Sequence, residues 1–300
     1  MQTVLITGGT GLVGTALTKM LLEKGYKVCI LTRELKKSSD PNLTFALWNV
    51  KNKTIDKDAV INCDYIIHLA GAGVVDKKWT KEYKEEIVSS RTESSKLLAD
   101  VLNNNENKLR NIVSASAIGY YGADKGKAFI ESDSPADNFL GNTCRLWEES
   151  VETIHNKPVC KLRCGIVLSN KGGALKEFIK PIKFGIATIL GSGKQVISWI
   201  HISDLCRMYI YAMENSLNGS FNAVSPAPAS NKFLVTSLAK ELKNNFYTAV
   251  KVPAFVLKIM MGERSVEVLK STTVSCNKIK ESGFVFNYPS LESAFKNLFR

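Results

Sequence analysis

The stretch Thr3-Val4-Leu5-Ile6-Thr7-Gly8-Gly9-Thr10-Gly11-Leu12-Val13-Gly14 decides the fold. A β-rich apolar run passes directly into glycines spaced three apart, and then into a helical pattern. Gly8 permits a tight turn with positive φ. Gly11 lets a pyrophosphate come close to the backbone, and Gly14 lets the following helix pack against the strand. The free N–H groups of the first helical turn, around Thr10, Gly11, Leu12 and Val13, then face the phosphates, and the helix dipole favours their charge. The alternative is an ordinary glycine-rich strand-to-helix turn, but a glycine triplet at such a junction is the context in which dinucleotides bind.

Working outward, apolar residues from Leu12 to Leu21 recur at helical spacing, and Gly25 closes that helix. Further strands are expected at 27–32, 43–48, 65–69, 111–115 and 159–167, with helices at 79–104 and 140–155 between them. Continuously apolar strands alternating with helices indicate a parallel sheet covered on both faces. The fold class is therefore α/β, a doubly wound Rossmann sheet. The second half is less regular: strands are expected at 196–200 and 219–223, and helices at 174–184, 203–214, 231–243, 253–261 and 290–299. The expected division is a dinucleotide-binding domain over 1–223 and a small, mostly helical C-terminal domain over 224–300. An insertion at 168–195 joins the latter in a substrate lobe.

The second strand ends Leu31-Thr32-Arg33. An acid at this place binds the ribose 2′-hydroxyl of NAD. Arg33 instead offers a bidentate pair to a 2′-phosphate, and Thr32 adds a hydrogen bond, so the expected cofactor is NADP (NADPH). Glu34 is one residue further on, and a shift of one in the strand end would bring an acid into the pocket. The net charge is +12 over 300 residues, with 40 Lys and Arg against 28 Asp and Glu. The lysines are scattered over helix faces with no basic stripe interleaved with aromatics, so no nucleic-acid partner is expected. No apolar run is long enough for a membrane span, and the N-terminus lacks a secretory pattern. Seven scattered cysteines without Cys-x-x-Cys argue against disulfides or a metal site and fit a cytoplasmic protein. Cys160 and Cys164 share one face of a strand and are read as core.

The Thr-Gly-x-x-Gly-x-x-Gly loop resembles that of extended and atypical short-chain dehydrogenases of the NAD(P)-dependent epimerase group. So do His68-Leu69-Ala70-Gly71-Ala72, Ser114-Ala115-Ser116-Ala117-Ile118-Gly119-Tyr120-Tyr121-Gly122, Ser198-Trp199-Ile200-His201-Ile202-Ser203-Asp204-Leu205 and Tyr288-Pro289-Ser290-Leu291. In order, over the whole chain, these blocks are similar to epimerase family proteins with an extra C-terminal domain, once named as cell-division inhibitors. The resemblance implies that His68 and Leu69 line the adenosine and ribose region. It places Arg91 where related proteins carry an asparagine that touches the cofactor, with Glu86 one turn before. These two read equally as a helix-surface pair. Ile166 and Val167, at the end of the sixth strand, are implied at the nicotinamide end.

The resemblance also implies a Tyr-x-x-x-Lys acid/base pair on the helix after the fifth strand. Here Leu140 falls at the tyrosine and Cys144 at the lysine, so the pair is absent. Ser116, Tyr120 and Tyr121 are the remaining catalytic candidates. Both tyrosines read alternatively as pocket walls, and the serine position aligns literally with Ala117. His201 and Trp147 read as structural, and Asp204 as a helix N-cap. Two functions stay open: an NADP-dependent oxidoreductase or epimerase acting on a small carbonyl or hydroxyl substrate with a non-standard proton donor, or a regulator that senses NADPH without turnover.

Overall fold

Strands buried on both faces need helices above and below them, and the alternation in the chain supplies both. The computed structural model describes residues 1–300. Its first half runs β1 (Thr3–Thr7), α1 (Leu12–Glu23), β2 (Lys27–Thr32), β3 (Leu43–Asn49), β4 (Thr54–Ile55), α2 (Lys57–Ile61), β5 (Tyr65–His68), α3 (Lys81–Asn103), β6 (Asn111–Ala117), α4 (Phe139–Glu152) and β7 (Val159–Cys164). The second half runs β8 (Ile166–Leu168), α5 (Ala174–Ile182), β9 (Ile186–Leu190), β10 (Val196–Ile197), β11 (Trp199–His201), α6 (Ile202–Glu214), β12 (Gly219–Ala223), β13 (Ala229–Ser230), α7 (Asn231–Lys243), β14 (Thr248–Val252), α8 (Ala254–Met261), α9 (Ser265–Leu269), α10 (Asn277–Glu281) and α11 (Leu291–Phe299).

Eight strands form the main sheet in the order β12-β7-β6-β5-β1-β2-β3-β4. All pairs are parallel except β3 with β4. The order reverses between β1 and β5, so a crevice opens at their carboxyl ends, where α/β sheets of this kind bind ligands. Alternate residues of β1 feed two cores. Val4 and Ile6 pack with Leu17 and Leu21 of α1 and Leu205 and Tyr209 of α6. Leu5 packs with Ile66, Ile112, Leu98 and Val151 on the other face.

The sixth strand, expected as one run over 159–167, is broken at Gly165. A Cβ there would stand 2.6 Å from the Ser198 carbonyl oxygen, so only glycine lets the chain cross so closely. β7 stays in the main sheet, whereas β8 leaves it to pair with β11. The chain then builds a lobe. In it β9 pairs in parallel with β14, and Trp199, Leu175, Leu234, Leu238 and Phe295 form a third core. The short elements β4, α2, β9, β13, β14, α9 and α10 carry too few residues for a period to be read, and none of them is among the expected elements; β9 lies in what the sequence suggests is a glycine-rich connection over 185–194.

Asp204 does not cap α6. The cap is His201, whose Nδ1 accepts from the Ser203 N–H at 3.1 Å. The Asp204 carboxylate sits in the first turn of α6 with no exposed surface. It accepts from the backbone N–H groups of Asn287 and Tyr288 at 2.9 and 2.8 Å and pairs with Arg207. It therefore ties the C-terminal segment to the main domain. No helix is long and apolar enough to cross a membrane.

Candidate dinucleotide site

Polar side chains cap α2, α3, α4, α7 and α11. α1, with Gly11 as its N-cap, has no side-chain cap, as is also true of α5, α8, α9 and α10. What sets α1 apart is that its first-turn N–H groups follow a glycine turn at the carboxyl end of a central strand, where a ligand can meet them. The glycines before it divide their tasks as the sequence suggests. Gly8 has φ +67°, and a Cβ on it would stand 2.9 Å from the Leu69 backbone. A Cβ on Gly14 would collide with the Gly8 carbonyl oxygen, so Gly14 sets the distance between helix and strand. Gly11 is exposed and only its own turn lies near its Cα. That is the glycine where extra space serves a ligand. Thr10 is exposed, and Leu12 and Val13 are half-buried. Leu12 lies under Gly172 and Gly173 of the loop after β8, and the Val167 carbonyl oxygen is close to Gly173. Ile166 is exposed.

β2 ends at Thr32, so Arg33 is the first residue past the strand and Glu34 the second. Both are exposed, and the Glu34 N–H donates to Thr32 Oγ1 at 3.4 Å.

His68 does not line the crevice; it has no exposed surface. The Leu69 and Ala70 N–H groups both donate to Thr7 Oγ1, at 3.0 and 3.1 Å. The Thr7 hydroxyl then gives its own proton to His68 Nδ1, 2.7 Å away. That leaves Nε2 to donate to Ser95 Oγ at 3.1 Å, and the Ser95 hydroxyl donates to the Arg91 carbonyl at 2.9 Å. This is the one assignment that satisfies every group in turn. It requires a neutral ring, and burial lowers the His68 pKa to about 4. The chain Thr7–His68–Ser95 fixes α3 to the phosphate strand and shapes the Leu69–Ala70 backbone that faces the crevice. Thr7 is the residue that the sequence reading left out of the site; its place directly before Gly8 was the available signal.

Glu86 and Arg91 do not meet. Five residues at about 100° each put them roughly 140° apart on α3. Glu86 points outward to Lys77, and Arg91 is buried, 9% exposed.

The catalytic candidates also separate. The Ser116 hydroxyl donates to Glu148 Oε1 at 2.6 Å, and the residue is 2% exposed. Tyr121 is fully buried. Its phenol donates to Asn222 Oδ1 at 2.8 Å and accepts from Arg163 Nη1 at 2.9 Å, and burial pushes its pKa up to about 12. Neither group is free to meet a substrate, because both belong to a closed network around Arg163. That guanidinium donates from Nε and Nη2 to the two Glu148 oxygens at 2.8 Å each, and from Nη1 to the Glu131 carbonyl at 3.0 Å. Tyr120 differs. It is half-buried, and its ring carries the Arg163 guanidinium 3.5 Å from the centroid. Burial raises its pKa, and Arg163 opposes the rise.

Leu140 and Cys144 lie one turn apart on the face of α4 that backs onto Gly119. Both are buried, and burial raises the Cys144 thiol to about 12. Neither Leu140 nor Cys144 supplies a charge or a proton donor at neutral pH. Trp147, on the same helix, is buried. His201 is buried against Tyr288, ring centroids 4.0 Å apart.

The fold and the uncapped glycine turn define a dinucleotide-type α/β protein, and comparison with known proteins agrees. Residues 4–223 match the NAD dependent epimerase/dehydratase family, and residues 252–298 match a domain of unknown function, DUF1731. The chain belongs to the NAD-dependent epimerase/dehydratase family. Epimerase family protein SH2119 of Staphylococcus haemolyticus is 35% identical over 303 residues, covering 99% of each chain. Epimerase family protein YfhF of Bacillus subtilis is 32% identical, covering 98% of this chain and 97% of that one. Among solved structures, the human epimerase family protein SDR39U1 (isoform 2), crystallised with NADPH, superposes with a TM-score of 0.87 at 25% identity, covering 99% of both chains.

Proposed function

We propose that this protein binds NADP(H) along the carboxyl edge of β2, β1, β5 and β6 and acts as an oxidoreductase or epimerase on a small carbonyl or hydroxyl compound. The observation that carries the reading is the bare N-terminus of α1, set over glycines of which two have no room for a side chain and the third faces outward. Arg33 and Thr32, directly past β2, would hold a 2′-phosphate. Gly8, Thr10, Gly11, Leu12, Val13 and Gly14 would hold the pyrophosphate, with Leu69, Ile166 and Val167 along the rest of the crevice. The nicotinamide, when bound, supplies or accepts the hydride. Tyr120 would exchange the substrate proton, being the one catalytic candidate that is not fully buried.

Titration with reduced cofactors tests the first half. Arg33→Ala should weaken NADPH about 10- to 100-fold while leaving NADH nearly unchanged; equal losses would sink the 2′-phosphate assignment. For the second half, Tyr120→Phe should lower kcat on a carbonyl found by screening by about 100-fold or more at unchanged NADPH affinity. Turnover that survives the substitution would remove Tyr120 from the mechanism. A second reading, a sensor of NADPH without turnover, is favoured by the apolar pair Leu140 and Cys144 on α4. It predicts tight NADPH binding with no carbonyl reduced.

A further inference from the structure

The lobe contains two helix–strand units of the same build. α5 leads through Lys183 into β9, and α7 leads through Asn244 into β14. The two strands pair in parallel, Ile186 beside Thr248 and Thr188 beside Val250, so both helices end on the same side of the lobe. The sequences there are alike. One connection reads Lys180-Pro181-Ile182-Lys183-Phe184, the other Lys240-Glu241-Leu242-Lys243-Asn244-Asn245-Phe246. Each places two lysines three apart at the end of a helix and a phenylalanine just beyond. The lysines have a local reason, since cations suit the carbonyl end of a helix. The phenylalanines have none: Phe184 is 85% exposed and Phe246 84%. The Thr248 N–H donates to the Gly185 carbonyl at 2.8 Å, and Gly185 lies against the Phe246 backbone. The two connections are therefore adjacent, and both rings stand at one tip. Ile186 and Val250 are exposed as well. They extend the apolar surface along the strand face opposite the buried Ala187 and Ile189.

Charge gathers on the same lobe. Residues 171–194 and 231–258 hold ten lysines against Glu177 and Glu241, so these two stretches carry +8 of the chain's +12. Glu241 is in addition taken by Arg300. Lysines that look scattered along the sequence are thus collected in the fold. Lys180, Lys183 and Lys240 are exposed beside the tip, and Lys243 is half-buried. An exposed apolar patch rimmed by polar groups marks an interaction surface, and two features of this one select its partner. The rings project, so a protein would have to offer a pocket for each, whereas the boundary between headgroups and acyl chains takes phenyl rings directly. A second copy of the chain would bring the same +8 against itself, whereas anionic headgroups attract it.

We infer that the tip formed by Phe184 and Phe246 docks on an anionic lipid bilayer, with both rings at the headgroup boundary and Lys180, Lys183, Lys240 and Lys243 facing the lipid phosphates. Attachment of this kind is peripheral and reversible, and it needs no membrane-spanning helix.

Sedimentation of the full chain with lipid vesicles tests this. One set of vesicles is phosphatidylcholine alone, the other an equimolar mixture with phosphatidylglycerol. Wild-type protein should partition onto the mixed vesicles about 100-fold more strongly than onto phosphatidylcholine, and about 1 M salt should abolish the difference. Phe184→Ser with Phe246→Ser should weaken binding to the mixed vesicles about 10- to 100-fold. Lys183→Gln with Lys240→Gln should weaken it about 10- to 30-fold. All four side chains are exposed, so an unchanged urea midpoint shows that the variants are folded. No partitioning onto either vesicle, or equal partitioning onto both, would overturn the inference. Binding that survives the loss of both rings would place the contact elsewhere and overturn it too. Sedimentation velocity without lipid covers the rival occupant: a dimer abolished by the two serines would give the tip to a second copy of the chain.

Discussion

Two arginines are buried against neighbouring residues of α4, and the chain treats them oppositely. Arg163 meets Glu148 through two parallel hydrogen bonds, and Tyr121 and the Glu131 carbonyl take further donors. Arg91 lies on Trp147 with a single bond to its own helix. The first corner is closed and holds β6, β7, β12 and α4 together. The second is open toward Gly71. A buried charge that is fully paired holds segments together, whereas one left without an anion leaves its environment to packing alone.

The largest effect should come from breaking the closed corner. Glu148→Ala strands a buried guanidinium and should cost about 3–5 kcal/mol in urea unfolding. Replacing both partners with apolar residues of similar volume should restore most of that; a single-mutant loss below about 1 kcal/mol would show that the corner is not closed. Next is acid sensitivity at the histidines. Burial lowers both His68 and His201 from 6.5 to about 4. The unfolded chain takes up their protons as pH falls through 6.5, while the folded protein resists until about 4. Stability is therefore full above 6.5 and is lost across that window, by about 3 kcal/mol for each ring. His68→Asn should flatten the slope of stability against pH by one ring's share, and an unaltered slope would contradict the neutral Thr7–His68–Ser95 chain. The smallest effect belongs to the open corner: without ligand, Arg91→Met should stay within about 1 kcal/mol of wild type, since no ion pair is broken.

Legibility in the sequence follows the same division. β1, α1, β2 and the phosphate turn are local: strand period, glycine spacing and Arg33 are all read within 33 residues, and the structure places them as expected. Around α4 the outcome depends on contacts between distant segments. Nothing near Ser116 shows that Glu148 takes its hydroxyl, and nothing near Tyr121 shows that Asn222 lies 101 positions away. Arg163 did leave a trace, as a charge inside the apolar run Val159–Cys164, but its partner was not legible. The family resemblance implies His68 as a crevice residue. The pleat sends it inward instead, and its backbone neighbours Leu69 and Ala70 take the outer place. The lobe was legible only in outline, since β9 and β14 pair across 62 positions and neither has a strong alternation.

The break at Gly165 has a consequence for how the crevice is assembled. The phosphate turn is local to residues 7–14, but the crevice wall that β8 begins relies on residues far along the chain. The Ser198 hydroxyl donates to the Thr272 carbonyl at 2.8 Å, and Asp204 accepts from Asn287 and Tyr288. The crevice wall is thus assembled from segments more than a hundred positions apart, and its integrity depends on contacts that Ser198 and Asp204 make with residues 272–288.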